Sequence, residues 1–262
     1  MLLAIDVGNS QTVAGVFQGD ELLHDWRVST VRGTTVDELA AQHDTILTLR
    51  GGSLTDVDHV VVASVVPALT AAYQALADRY LGRPAVVVGP GVRTGMPLLI
   101  DNPHELGADR LVNAVAAYRR YGGPCIVVDF GTATTLDVVS AGGEYLGGVI
   151  APGIETSLDA LTQRAARLMK VDLVAPTRVV GRSTVESMQS GLINGAAAMV
   201  DGMVARIAAE LGVPPVVVAT GGLGTLVAPL SSEIELHDPL LTLEGLRTVH
   251  ELNAGAVPRG RR

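Results

Sequence analysis

Asp6, Gly8 and Thr12 recur in type and spacing as Asp129, Gly131 and Thr135. Each set begins where an apolar run ends, Leu2 to Val16 reading LLAIDVGNSQTVAGV and Ile126 to Val139 reading IVVDFGTATTLDVV. A glycine two residues past a strand-end carboxylate lets a phosphate approach the backbone, and the N–H groups and hydroxyls that follow can donate to it. The carboxylate can hold the metal ion that accompanies a phosphate. A third dense stretch, DNPHELGADR from Asp101 to Arg110, sets Gly107 beside Asp109 and Arg110. Asn102, Pro103 and Glu105 form a helix start signal. Gly107 would then lie inside a helix, where glycine costs about 1 kcal/mol relative to alanine, and close approach of another group is the simplest reason for it.

These residues need strands and helices in alternation to position them. Both candidate phosphate turns read as strand, tight polar turn, strand. After the first, Leu22 to Ser29 reads as a third strand carrying Trp26, and Thr35 to Leu49 has helical spacing up to Gly51-Gly52. Val60 to Val66 and Ala85 to Val88 are β-branched runs separated by a helical Ala68 to Leu81. The dense stretch continues as a helix through Leu111, Val115 and Tyr118 until Gly122-Gly123-Pro124, where we place the domain boundary, giving halves 1–121 and 122–262. The second half repeats the logic. Glu144 to Ile150 is a strand leading into Ala151-Pro152-Gly153, and a helix follows across Leu158, Leu161, Ala165 and Leu168. A long helix, Thr184 to Leu211, has Ser183 and Glu186 as a capping box and Gly191 and Gly195 inside it, which suggest close packing. Val216 to Ala219 delivers a second glycine-rich turn, Thr220 to Gly224, and Thr242 to Leu252 is the last helix before a basic tail, Arg259 to Arg262, that reads as disordered. Strands alternating with helices mean sheets with parallel members and covered faces.

Composition sets outer bounds. With 262 residues and 48% hydrophobic content the chain can bury a substantial core. Its net charge of -8 argues against a nucleic-acid surface, so an anionic substrate would need local positive potential. Cys125, the single cysteine, reads as a small buried filler and fits a reducing interior. The apolar N-terminal run lacks preceding basic residues and is interrupted by Asp6, so neither signal peptide nor membrane anchor is expected and the cytoplasm is the expected location. The six histidines show no metal-ligand spacing, His104 and His250 read as solvated helix residues, and Asp137 reads as structural.

Two α/β halves, each opening with an Asp-x-Gly hairpin, resemble the acetate and sugar kinase, heat-shock-70 and actin superfamily. The resemblance implies duplicated ribonuclease-H-like domains, with a nucleotide in the cleft between them and its adenosine near a Gly-Gly turn, which Thr220-Gly221-Gly222 matches. Within that superfamily DVGNSQT, DNPHELGADR, DFGTATTLD, GGVIAPG and STVESMQSG, in that order from Asp6 to Gly191, resemble type III pantothenate kinase over nearly the whole chain.

That resemblance implies transfer of a phosphoryl group from ATP to pantothenate, the first step of coenzyme A synthesis. It implies that Asp6, Val7, Gly8, Asn9, Ser10, Gln11, Thr12, Val13 and Thr132 bind ATP, Asp6 also orienting Mg2+ through water. Asp129 is implied as ligand of a monovalent cation, K+ or NH4+, and Asp109 as general base. Ile100, Gly107, Ala108, Asp109, Arg110 and Thr184 are implied as the pantothenate contacts, within a homodimer that has the Thr184 helix as its interface. By that resemblance many relatives carry a tyrosine immediately before the Asp-Asn-Pro, where this chain has Ile100, so apolar contact can persist there and the phenolic hydrogen bond cannot. Other readings of the residues are a kinase or phosphatase of the superfamily with another small-molecule substrate, and a non-catalytic accessory factor of transcription. Intact Asp6, Asp109 and Asp129 count against the last. No partnership with nucleic acid or membrane is expected.

Overall fold

The computed structural model describes residues 1–165 and 167–254. The expected disorder of Arg259 to Arg262 lies outside the described residues. In chain order the strands are β1 (Leu2–Val7), β2 (Gln11–Gln18), β3 (Glu21–Ser29), β4 (His59–Ser64), β5 (Val86–Val87), β6 (Cys125–Phe130), β7 (Ala133–Val139), β8 (Tyr145–Pro152), β9 (Val216–Thr220) and β10 (Leu236–His237). The α-helices are α1 (Val36–Leu49), α2 (Pro67–Leu81), α3 (Ala108–Tyr121), α4 (Ile154–Arg164), α5 (Thr184–Leu211), α6 (Gly224–Val227) and α7 (Leu241–Asn253).

The strands form two sheets of one topology. The first has the order β3-β2-β1-β4-β5 and the second, read from its other edge, β8-β7-β6-β9-β10. In both, the first three strands of the chain pair antiparallel and the last two add in parallel. This is the ribonuclease-H-like arrangement, present twice. The duplication legible in the Asp-x-Gly motifs therefore extends to whole sheets.

In the first unit α1 and α2 cover one sheet face, with Leu39, Leu47, Leu69 and Leu76 packed against Leu3, Ile5 and Val62. Each such side chain contributes about 1.5–3 kcal/mol by leaving water. α7 joins this unit. Leu243 Cδ1 fills the space where Gly15 has no Cβ, Val112 of α3 fills that at Gly245, and Arg247 stacks over Phe17. In the second unit α4 and α5 cover one face, with Ile154, Leu158, Leu192, Ile193 and Val200 against Ile126, Val128 and Leu136. By length and composition α5 is apolar enough to cross a membrane. In this fold one face of it packs on the sheet of the second unit, and it is ended by Gly212 in the left-handed conformation at φ 73°.

Neither unit is one stretch of chain, so they do not follow a single cut at Gly122. The first comprises Met1–Gly95, Asn102–Ala116 and the chain from Thr242; the second comprises Met96–Asp101 and Ala117–Leu241. The short segment before Asn102 belongs to the second because the Leu99 N–H donates to Tyr145 O at 2.8 Å and the Tyr145 N–H to Pro97 O at 2.8 Å.

Several local expectations change. Pro103–Glu105 is one 3-10 turn, separate from α3, so Gly107 precedes a helix and does not interrupt one. α4 stops at Arg164, leaving Ala165 and Leu168 outside it. Among the described residues nothing lies within 4 Å of where a Cβ on Gly191 or Gly195 would stand, so they serve no close packing among those residues. Ser183 accepts from the Glu186 N–H, but the Glu186 carboxylate accepts from the Arg182 N–H, so half of the capping box forms. His250 is 8% exposed, a core residue, where a solvated one was expected. Cys125 is fully buried, and burial pushes its thiol up to about 12.

A buried polar relay joins three elements of the first unit. Trp26 Nε1 donates to His43 Nδ1 at 3.2 Å, and His43 Nε2 lies 3.0 Å from the Tyr73 hydroxyl. Indole N–H can only donate, so the neutral His43 carries its proton on Nε2 and donates to Tyr73. Burial pushes His43 from 6.5 down to about 4. As pH falls through that window the unfolded chain takes up the proton first, so His43 contributes stability that is complete above about 6.5 and lost toward 4. The loss is on the order of 3 kcal/mol. His250, also pushed down to about 4 by burial, adds to the same slope. Urea unfolding measured from pH 7 to pH 4 is expected to show this decline, and H43Q, which can keep both bonds without titrating, is expected to be visibly flatter. An equal slope in H43Q would remove His43 from the account.

Candidate active site

The first turn closes tightly at the end of β1. The Gly8 N–H donates to Gln11 O at 3.0 Å, and a Cβ on Gly8 would stand 2.9 Å from that oxygen. Asp6 is half-buried opposite Val13, and Val7 is fully buried opposite Thr12. Asn9, Ser10 and Gln11 are exposed at the tip. Thr12 is 2% exposed and its hydroxyl pairs with that of Thr30 at 2.9 Å, so it braces the hairpin from inside. Arg32, which the sequence did not single out, reaches Asn9 Oδ1 at 3.4 Å and supplies local positive charge at this turn.

The second turn is one residue shorter. Asp129 pairs with Thr135 and Phe130 with Thr134, whereas Asp6 pairs with Val13 and Val7 with Thr12. Thr134 is therefore the structural counterpart of Thr12, and the equal spacing of Thr12 and Thr135 in sequence does not carry over to register. Thr132 is exposed at the tip. Thr156 of α4 donates to its carbonyl at 2.7 Å, and a Cβ on Gly153 would stand 2.5 Å from Gly131 O. The glycine after Pro152 was visible as a turn signal. Its role as a seat for this hairpin needs the fold.

β9 runs parallel beside β6 and sets Thr220 next to Asp129. Gly221 follows at φ 88°, and a Cβ there would collide with Asp129 Oδ1 and the Phe130 backbone. The glycine-rich turn is thus bound to the Asp129 hairpin within one unit. The carboxylate occupies a cradle that a side chain would fill.

Gly107, Ala108, Asp109 and Arg110 form the start of α3. The Leu111 N–H donates to Gly107 O at 3.1 Å, which makes Gly107 the residue at the helix boundary. Asp109 Oδ1 accepts from the Arg110 N–H at 2.8 Å and lies 2.5 Å from where a Gly107 Cβ would be. The glycine therefore lets the carboxylate fold back over the helix N-terminus, where the dipole favours negative charge. Ahead of it, Asn102 Oδ1 caps the 3-10 turn through the His104 N–H at 3.2 Å and Asn102 Nδ2 donates to Glu105 Oε1 at 2.7 Å.

Ile100 and Thr184 both lie in the second unit. Ile100 packs its Cγ2 near Gly147 of β8. Thr184 is exposed in the first turn of α5 and lines a groove of about 570 Å3 with Leu161, Leu168, Met188, Gly191 and Leu192. Within that unit the structure brings Asp129, Thr132, Gly153, Thr156 and Gly221 into one cluster. The groove is a separate feature between α4 and the start of α5.

The sequence model of the type III pantothenate kinase family matches residues 2–206. A relative in Moorella thermoacetica named type III pantothenate kinase is 51% identical over 253 residues, 97% of this chain and 100% of its own. One of the same name in Frankia casuarinae is 54% identical over 254 residues, with the same shares covered. Among solved structures, the activator of the 2-hydroxyisocaproyl-CoA dehydratase from Clostridium difficile, solved with bound ADPNP, aligns with a TM-score of 0.59 over 97% of this chain and 96% of its own. At 12% identity it shares the fold alone. By the family match across most of its length and by these full-length identities, the chain belongs to the type III pantothenate kinase family.

Proposed function

We infer that the chain transfers the terminal phosphoryl group of ATP to pantothenate, giving ADP and 4'-phosphopantothenate in the first step of coenzyme A synthesis. The observation that carries this reading is identity above half with relatives of that name across 97% of the chain. Phosphoryl transfer asks a protein mainly to position the acceptor and stabilise charge on the moving group.

The turn from Val7 to Val13 is the proposed holder of ATP phosphates, through its backbone N–H groups and the exposed Ser10 hydroxyl. Thr132, held from behind by Thr156, does similar work in the second hairpin. The donors at both turns are carboxylate and hydroxyl oxygens, which suit hard cations: Mg2+ reached through water at Asp6, and K+ or NH4+ at Asp129. A bound cation supplies neutralisation of phosphate charge. The Gly221 cradle supports the Asp129 assignment, because it seats the carboxylate oxygen in a place that any larger residue would take.

Asp109 is the proposed general base for the pantothenate hydroxyl. Its support is the fixed position over the α3 N-terminus, where its Oδ1 accepts from the Arg110 backbone N–H. Gly107 to Arg110, Ile100 and Thr184 are the proposed substrate contacts, Ile100 as an apolar surface and Thr184 through its exposed hydroxyl. A homodimer through α5 is proposed on the open space around Gly191 and Gly195 and the exposed Val185. The cytoplasm is its proposed compartment, in keeping with one buried thiol.

Coupled ADP release with ATP, Mg2+ and pantothenate is expected to be pantothenate-dependent and faster in K+ than in Na+. No pantothenate-dependent turnover in either salt would sink the reading. D109N, which keeps the bond from the Arg110 N–H but cannot take the proton, is expected to lose at least about tenfold in kcat while ATP affinity stays within twofold. G107A should do likewise by displacing the carboxylate. Wild-type kcat in both variants would take Asp109 out of the mechanism.

A further inference from the structure

The sheet of the second unit has a face turned away from α4 and α5. On it Asp129 lies directly between Thr135 of β7 and Thr220 of β9, one strand to either side. Residues directly paired across strands point to the same face, with neighbouring strands about 4.8 Å apart. The three side chains therefore make a row of oxygens. One pleat further along β7 stands Asp137, fully buried. Its Oδ1 accepts from the Tyr145 hydroxyl at 2.5 Å and its Oδ2 from the Thr135 hydroxyl at 3.2 Å.

This arrangement decides which way Thr135 faces. The Thr135 hydroxyl donates to Asp137 Oδ2, so its proton is engaged there, and Oγ1 can still accept or ligate on the sheet face it shares with Asp129. A hydroxyl turned in this way is a cation ligand and not a donor. Tyr145 holds the other oxygen of Asp137 and so fixes the carboxylate that fixes the threonine. A residue needed only to fill the core would be apolar here, since burying a carboxylate costs several kcal/mol unless it is bonded at both oxygens.

We propose that Thr135 Oγ1 is a second protein ligand of the monovalent cation at Asp129, and that Asp137 is the positioning residue that orients it. The inference rests on the reading of Asp129 as a cation site. It gives a role to a buried polar chain, Tyr145 to Asp137 to Thr135.

Thermal unfolding at fixed ionic strength, titrating K+ against Na+ in the presence of ADP and Mg2+, reads the site without turnover. The wild-type chain is expected to show a K+-specific rise in Tm that saturates. T135V, equal in shape but lacking the oxygen, is expected to need at least fivefold more K+ for half the rise, and T135S is expected to stay within twofold of wild type. D137N, whose amide would donate to Thr135 and reverse its hydroxyl, should shift the midpoint in the direction of T135V and by a measurable amount even if the starting Tm falls. A wild-type chain with no K+-specific rise overturns the cation site and this inference with it. A wild-type rise whose midpoint is unmoved in T135V and D137N overturns the inference alone.

Discussion

At two places the chain leaves out a Cβ and a carboxylate oxygen takes the room. A side chain at Gly221 would collide with Asp129 Oδ1, and one at Gly107 would stand 2.5 Å from Asp109 Oδ1. The roles proposed for Asp129 and Asp109 depend on this constraint, because a carboxylate can act as ligand or base only where the surrounding backbone holds its oxygens in place. Strand pairing fixes Asp129, and the first turn of α3 fixes Asp109. The glycines give each carboxylate oxygen the room it occupies.

Duplication supplies the framework, and small departures from it supply the division of labour. Two sheets of one topology place Asp6 and Asp129 at the same strand end. The hairpins after them differ by one residue. In the first, Thr12 turns inward to Thr30; in the second, Thr135 pairs with the aspartate itself and is held by Asp137. One turn is thus built around exposed backbone and short polar side chains, and the other around an aspartate with a polar chain behind it. Asp137 reads as merely structural in the sequence because a single carboxylate in a strand has no visible partner. Its bond to Tyr145, eight residues on, exists only once β7 and β8 pair.

Most strands and helices were legible because their apolar periods and stop signals are strong, as in α5 from Ser183 to Gly212 or the β-branched run of β4. What could not be read has two physical origins, the local choice of how far a capped turn propagates and contact between residues far apart in sequence. Gly107 looked like a helix interior because capping signals at Asn102 were good, yet that cap closes only a 3-10 turn and the chain restarts. The assignment of α7 to the first unit rests on glycines at 15 and 245 that meet side chain and backbone from other elements. Gly191 and Gly195 go the other way, since their spacing signals close packing and no described residue of the chain packs against them.

The central claim is that these residues move phosphorus from ATP onto the pantothenate hydroxyl and not onto water. Phosphorus NMR of the chain with ATP, Mg2+, K+ and pantothenate follows that atom directly. The expected result is a phosphomonoester resonance coupled to the 4' methylene protons, growing in step with ADP. ADP accompanied only by inorganic phosphate would contradict the account.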